Sequence, residues 1–287
     1  MFTVQPRADA LESLQLNDTA ADSELVLAPP RGGLATRLRL TGVNLFFLDE
    51  GTLRGSSKNV RGGNPVLFPS PGKLEGDAWA RGGRRGALKQ HGFARNLPWQ
   101  VVGTATGDAA RATLRLASSD ETRAAYPWDF TADYTYVLSG AALRIEQRFT
   151  NTGREPMPFG AGFHPYFRVA QAEKGAARVL TKATRAFDNV TKQRGPLAGI
   201  DLRGAEVDLH LEDHGAVPCG LALPSGRTVE LRGSPEFSQW VVWTLKDKDF
   251  VCVEPWTCPG NALNTGERLL VLEPGRSRTL WVELELR

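Results

Sequence analysis

"ALRIEQRFT", residues 142–150, alternates Leu143, Ile145 and Phe149 with Arg144, Glu146 and Arg148. Successive side chains of an extended chain point to opposite faces, so this stretch reads as an antiparallel strand with one face in a core and the other in water. A helix would need apolar residues three and four apart. The pattern recurs along the chain. In "RTLWVELEL", 278–286, Leu280, Val282, Leu284 and Leu286 alternate with Trp281, Glu283 and Glu285. "RLRL" (37–40), "ATLRLAS" (112–118) and "RTVELRG" (227–233) repeat it, and clusters such as "TNTGREPMP", "LPSGR" and "LEPGRS" punctuate the strands with turn residues. Helical periodicity is scarce; "ADALESLQL", 8–16, is the best candidate. We therefore expect one large all-β domain over residues 1–287, a large antiparallel β-sandwich.

Length and composition set further bounds. A chain of 287 residues with 41% hydrophobic and 23% charged residues buries a core of its own without disulfide or metal staples. A net charge of +3 does not ask for nucleic acid, and the three RGG triplets at Arg31, Arg61 and Arg81 are scattered rather than arrayed. Arg outnumbers Lys, and Arg is the better two-pronged partner for phosphate and carboxylate. Cys219, Cys252 and Cys258 are odd in number and lack C-x-x-C spacing, which speaks against a disulfide framework or zinc knuckle. With neither a signal-peptide pattern nor an apolar run of spanning length, the expected place is the cytoplasm, away from membranes.

Four segments carry residues that a sandwich core does not need. "GAGFHPYFRV", 160–169, sets His164 among aromatic and small residues before Pro165. Pro165 cannot donate to a ladder, so His164 belongs at a strand end or rim, where pockets open. His91 opens "HGFARNLPW" with Arg95 four residues on. Each histidine alone could simply tie down a loop. In "DFVCVEPWTCPGNALNTGE", 249–267, Glu254 closes an apolar run and shares a face with Cys252 by alternation. Burial there would raise its pKa and make it a useful base; the alternative is a rim glutamate paired to an arginine. "NVRGGNPVLFPSPGKL", 59–74, places Arg61 ahead of a proline-braced apolar turn, where it could equally be a surface arginine. His210 and His214, in "VDLHLEDHG", sit in a polar strand-to-turn setting that solvent exposure explains. With no H-x-H pair, a cupin-type metalloenzyme is disfavoured.

In order, "RGGNPVLFPSPGKL", "HGFARNLPW", "FHPYFR" and "VCVEPWTCPGNALNTGE" resemble the motifs of the aldose 1-epimerase (galactose mutarotase-like) superfamily, nearest its glucose-6-phosphate 1-epimerase and bacterial aldose 1-epimerase-like branch. "YPWDF" (126–130) and "LVLEPGRSRTLWVEL" (270–284) belong to the same resemblance, which runs from about Arg61 to the C-terminus. It implies a β-supersandwich and an isomerase that interconverts the α and β anomers of an aldohexose or a hexose 6-phosphate. It implies Glu254 as the base at the C1 hydroxyl and His164 as the acid at the ring oxygen. His91, Arg61 and Arg95 would bind the sugar or its phosphate, and Asp208 its hydroxyls, with Asp201 the rival. No metal, nucleotide or flavin cofactor is implied, and the partner is a small sugar met by a monomer or weak dimer. A non-catalytic sugar-binding or sensor protein is the alternative on such a fold. For a phosphorylated sugar, the candidate cations are Arg61, Lys73, Arg95 and the loop "RGGRRG" with Arg81, Arg84 and Arg85.

Overall fold

The computed structural model describes residues 1–8, 11–55 and 59–287. Three ten-residue strands, Phe130–Ser139, Ala142–Asn151 and Ser277–Leu286, lie side by side in an eight-stranded sheet. Their register sets Leu143 opposite Leu284 and Ile145 opposite Val282, so the alternation read from "ALRIEQRFT" becomes one continuous apolar face. A second eight-stranded sheet includes Arg185–Asp188, Glu206–Leu211, Gln239–Leu245 and Phe250–Trp256 in that spatial order. Gly162–Phe163 and Tyr166–Arg168 both pair with Phe250–Trp256. Aromatic rings join the two sheets: Tyr134 of the first meets Phe163 of the second edge-on at 5.8 Å. The fold is an antiparallel β-sandwich, and one apolar cluster runs through it from Leu14 to Leu286.

The N-terminal region differs from expectation. "ADALESLQL" holds the strand Glu12–Asp18, paired on either side with Phe2–Ala8 and Ser23–Ala28 in a five-stranded sheet; Asp9 and Ala10 lie outside the described residues. Leu14, Leu16 and Asp18 are its buried positions, a spacing of two. The helix expected for this segment gives way to the ladder that two flanking strands supply. Among the described residues no helix is long and apolar enough to cross a membrane.

Phe250–Trp256 is buried along its whole length. Val251 and Val253 face the inter-sheet core. Phe250, Cys252 and Trp256 pack in separate clusters on the opposite side, with Val241, Trp243 and Tyr166. A strand covered on both faces explains the unbroken apolar run "FVCV". It also means that a residue on the outer face, such as Glu254, leaves water although it does not enter the sandwich core.

Candidate functional site

Register across the second sheet assembles the site on that outer face. One row reads Phe187, His210, Val241, Glu254, and the next reads Asp208, Trp243, Cys252, Tyr166. Loops from the other segments wall this patch into a cavity of about 660 Å³ lined by Arg61, Lys73, His91, Arg95, His164, Asp208 and Glu254 among others. That volume suits a small molecule.

His91 is held by its backbone and its ring. Its own N–H donates to Gly72 O at 2.8 Å. The Gly72 N–H donates to His91 Nδ1 at 3.0 Å. A backbone N–H can only donate, so Nδ1 is the unprotonated nitrogen, and neutral His91 carries its proton on Nε2 as a donor. Burial first, and then the nearby Arg95 charge, push its pKa well below the ordinary histidine value. The turn that makes this possible has His91 at φ +69° and Gly92 at φ +71°. A Cβ at position 92 would lie 2.2 Å from Phe68 O, so only glycine fits.

His164 sits between the strands Gly162–Phe163 and Tyr166–Arg168, at the break that includes Pro165, the strand end that the sequence suggested. Its ring stacks on Tyr166 at 4.7 Å and meets His91 edge-on at 5.5 Å. Nε2 lies 3.3 Å from Glu254 Oε1. Nδ1 is buried without a hydrogen-bond partner among the described residues. Glu254 is 1% exposed and lies inside its strand, two residues before the end, not at its rim. Its other oxygen, Oε2, accepts from Trp256 Nε1 at 3.2 Å. No arginine pairs with it among the described residues, so the rim-pair alternative does not hold.

Electrostatics make the two a unit. Burial above all lifts the Glu254 carboxyl well above the ordinary range, helped by the Asp208 charge. Burial also lowers His164, to about 3, with Arg95 adding to it. Desolvation thus disfavours both a bare carboxylate and an extra imidazolium. Both directions favour the neutral pair, in which Oε1 and Nε2 share one proton.

Asp208 lines the cavity. Its Oδ2 accepts from Asn189 Nδ2 at 2.7 Å, and Oδ1 lies 3.5 Å from His210 Nε2. Burial works to raise its pKa, but the hydrogen bonds from His210 and Asn189 outweigh this and hold it below the usual value. Asp201 instead forms an exposed pair with Arg203 at 2.9 Å, outside the cavity. Arg61 lies over the Trp243 ring at 5.9 Å. Arg95 donates to Gln90 O at 2.8 Å, and its Nε is buried without a partner among the described residues.

Three sequence expectations change. Neither His210 nor His214 is a solvent-exposed histidine: His210 lines the cavity edge-on to Trp256 at 5.5 Å. His214 is buried, bonded to Thr181 Oγ1 at 2.7 Å and to Val217 O at 3.1 Å. The "RGGRRG" arginines do not line the site. They form the hairpin Ala78–Arg81 with Arg84–Ala87, where Arg84 is tied to Glu155 at 2.7 Å. Sequence reasoning also passed over Gln239, Trp243, Trp256 and Arg268, all in the lining. Period-two reading of "EVDLHL" and "QWVVWTL" would have set Asp208 with His210, and Gln239 with Trp243, on shared faces.

A sequence model described as aldose 1-epimerase matches residues 60–285. The chain belongs to the aldose 1-epimerase family. It is 37% identical over 152 residues to the Escherichia coli protein named "Putative glucose-6-phosphate 1-epimerase", a match covering 51% of this chain and 47% of that one, so it spans less than half of that relative's length. A Cenchrus ciliaris protein of the same name is 26% identical, covering 82% of this chain and 72% of its own. The crystal structure of the Slr1438 protein from Synechocystis superposes with a TM-score of 0.93 at 38% identity, covering 100% of this chain and 99% of that one. A galactose mutarotase-like protein from Clostridium acetobutylicum shares the fold at TM-score 0.84 and 19% identity, covering 100% and 98%. Both superpositions include the N-terminal sheet that the motif resemblance did not reach.

Proposed function

We propose that this aldose 1-epimerase family member is a mutarotase for an aldohexose, with hexose 6-phosphate the favoured form. The observation that carries the reading is the buried Glu254/His164 pair, 3.3 Å apart in the lining of the cavity. Glu254 Oε1 takes the proton of the C1 hydroxyl while His164 Nε2 gives one to the ring oxygen. The C1–O5 bond breaks and C1 becomes an aldehyde. Rotation about C1–C2 presents the other carbonyl face, and the same steps in reverse close the ring. Every proton taken at one residue is matched by one given at the other, so the site ends each cycle as it began. His91 Nε2–H donates to a sugar oxygen, and Asp208 accepts from hydroxyls.

Charge supports the phosphorylated substrate. Of the cations lining the cavity, Arg194 pairs with Glu212 and Arg268 with Glu267. Arg61, Lys73 and Arg95 have no ion-pair partner among the described residues. Three uncommitted cations suit a dianion better than a neutral 6-hydroxyl. These residues take the part that the sequence reading gave in part to Arg84 and Arg85.

The test is proton exchange NMR between the anomers of glucose, galactose and glucose 6-phosphate, with and without the protein. Accelerated exchange, fastest for the phosphorylated sugar, is expected. Sugar that binds but exchanges at its spontaneous rate would make this a non-catalytic carbohydrate-binding protein.

A further inference from the structure

The proposed mechanism uses two members of a group of three. Cys252 precedes Glu254 by two residues on the same outer face, and it is fully buried. Ligand-type atoms of His164, Cys252 and Glu254 all lie within 4.8 Å of one another. We propose that these three side chains form a binding site for a zinc-class divalent cation, and that an ion seated there switches the enzyme off. The inhibitory half rests on the mutarotase reading; the binding half does not.

The spacing fits. Around a tetrahedral Zn²⁺ with bonds to nitrogen and oxygen of about 2.0–2.2 Å, adjacent N and O ligands sit about 3.4 Å apart. His164 Nε2 and Glu254 Oε1 are 3.3 Å apart already. A sulfur ligand at about 2.3 Å would stand about 3.6 Å from each, so the thiol need move by only about an ångström. His164 and Glu254 line the cavity and Cys252 does not, so an ion arriving from the cavity meets the first two and finds the thiol behind them. A fourth position stays open to a water.

Charge fits too. A thiol with a carboxyl–imidazole pair that shares one proton carries no net charge. Binding of M²⁺ releases two protons to solvent, one from Cys252 and one from the pair. It leaves a thiolate, a carboxylate and a neutral imidazole around a double positive charge, so the site is neutral again. A buried site that trades two protons for one divalent ion avoids the desolvation cost of a net charge. The softness of sulfur and imidazole selects zinc-class ions over magnesium or calcium. Both proton-trading atoms are then occupied by the metal, and ring opening stops.

The experiment uses the whole chain, freed of metal by chelator. Added Co²⁺ should produce a thiolate-to-cobalt charge-transfer band in the near ultraviolet, removed by excess Zn²⁺ and absent from Cys252→Ser and Cys252→Ala. Zn²⁺ should abolish anomer exchange by the wild-type protein, and EDTA should restore it. Cys252→Ser should keep most of the metal-free rate and require about tenfold or more Zn²⁺ for the same inhibition, since it loses one ligand of three. No cobalt band in the wild type, or equal zinc sensitivity in wild type and both Cys252 variants, would overturn the site. A Cys252-dependent cobalt band in a protein without epimerase activity would uphold the site and sink only the mutarotase reading.

Discussion

Trp256→Phe removes a single N–H from the centre of the site. In the structure that N–H reaches Glu254 Oε2 at 3.2 Å, while the ring stands edge-on to His91 at 5.6 Å and to His210 at 5.5 Å. The bond occupies one carboxyl oxygen and leaves Oε1 to face His164. It also favours the ionised carboxylate against the burial that opposes it. A hydrogen bond to a charged acceptor contributes about 1.5–3 kcal/mol. At about 1.4 kcal/mol per pKa unit, its loss raises the pKa of the pair by about one to two units. The sign follows: without the donor, the shared proton is held more tightly. The alkaline limb of the kcat/KM profile should therefore move up by at least about one unit. The rate on the plateau should fall about tenfold, because the form with Glu254 ionised and His164 protonated becomes rarer. The assay is anomer exchange followed across pH, with sugar affinity measured in parallel. A merely packing role for Trp256 would change the melting temperature or KM and leave the limb in place. An unmoved alkaline limb in a folded, sugar-binding Trp256→Phe protein would refute the argument.

Other substitutions probe the remaining roles. Glu254→Gln keeps the shape and removes the base, so turnover should drop by about 10² or more with sugar still bound, as single-turnover and binding measurements would show. His164→Ala should reduce kcat, because its proton is needed only as the C1–O bond breaks; His91→Ala should damage KM and kcat together, its donor being used in ground and transition states alike. Burial lowers the pKa of His91, so the stability it contributes is present above about pH 6.5 and is lost as pH falls below it; His91→Gln should flatten the slope of unfolding free energy in acid by up to about 1.4 kcal/mol per pH unit. Arg61→Ala should lower kcat/KM for glucose 6-phosphate far more than for glucose, and added salt should act in the same direction, whereas Arg84→Ala should spare both sugars.

Strand alternation was legible from residues such as Leu143, Ile145 and Val282, because burial of one face imposes a period of two whatever the partner strand. The same chemistry made His164 and Glu254 visible: an imidazole before a proline and a carboxylate on an apolar run are costly choices for a core. What one strand cannot reveal is its neighbour. That His210 lies two strands from Glu254, on the same outer face, follows only from the register through Val241. The gathering of Cys252, His164 and Glu254 follows from the pairing of Tyr166–Arg168 with Phe250–Trp256. The surroundings of the "RGGRRG" arginines and the conformation of "ADALESLQL" were not legible in the sequence for one reason. Both segments are short, and a hairpin partner or a flanking ladder decided their conformation and their surroundings. Alternation says which side chains share a face of a strand; hydrogen-bond register between distant strands decides which faces meet.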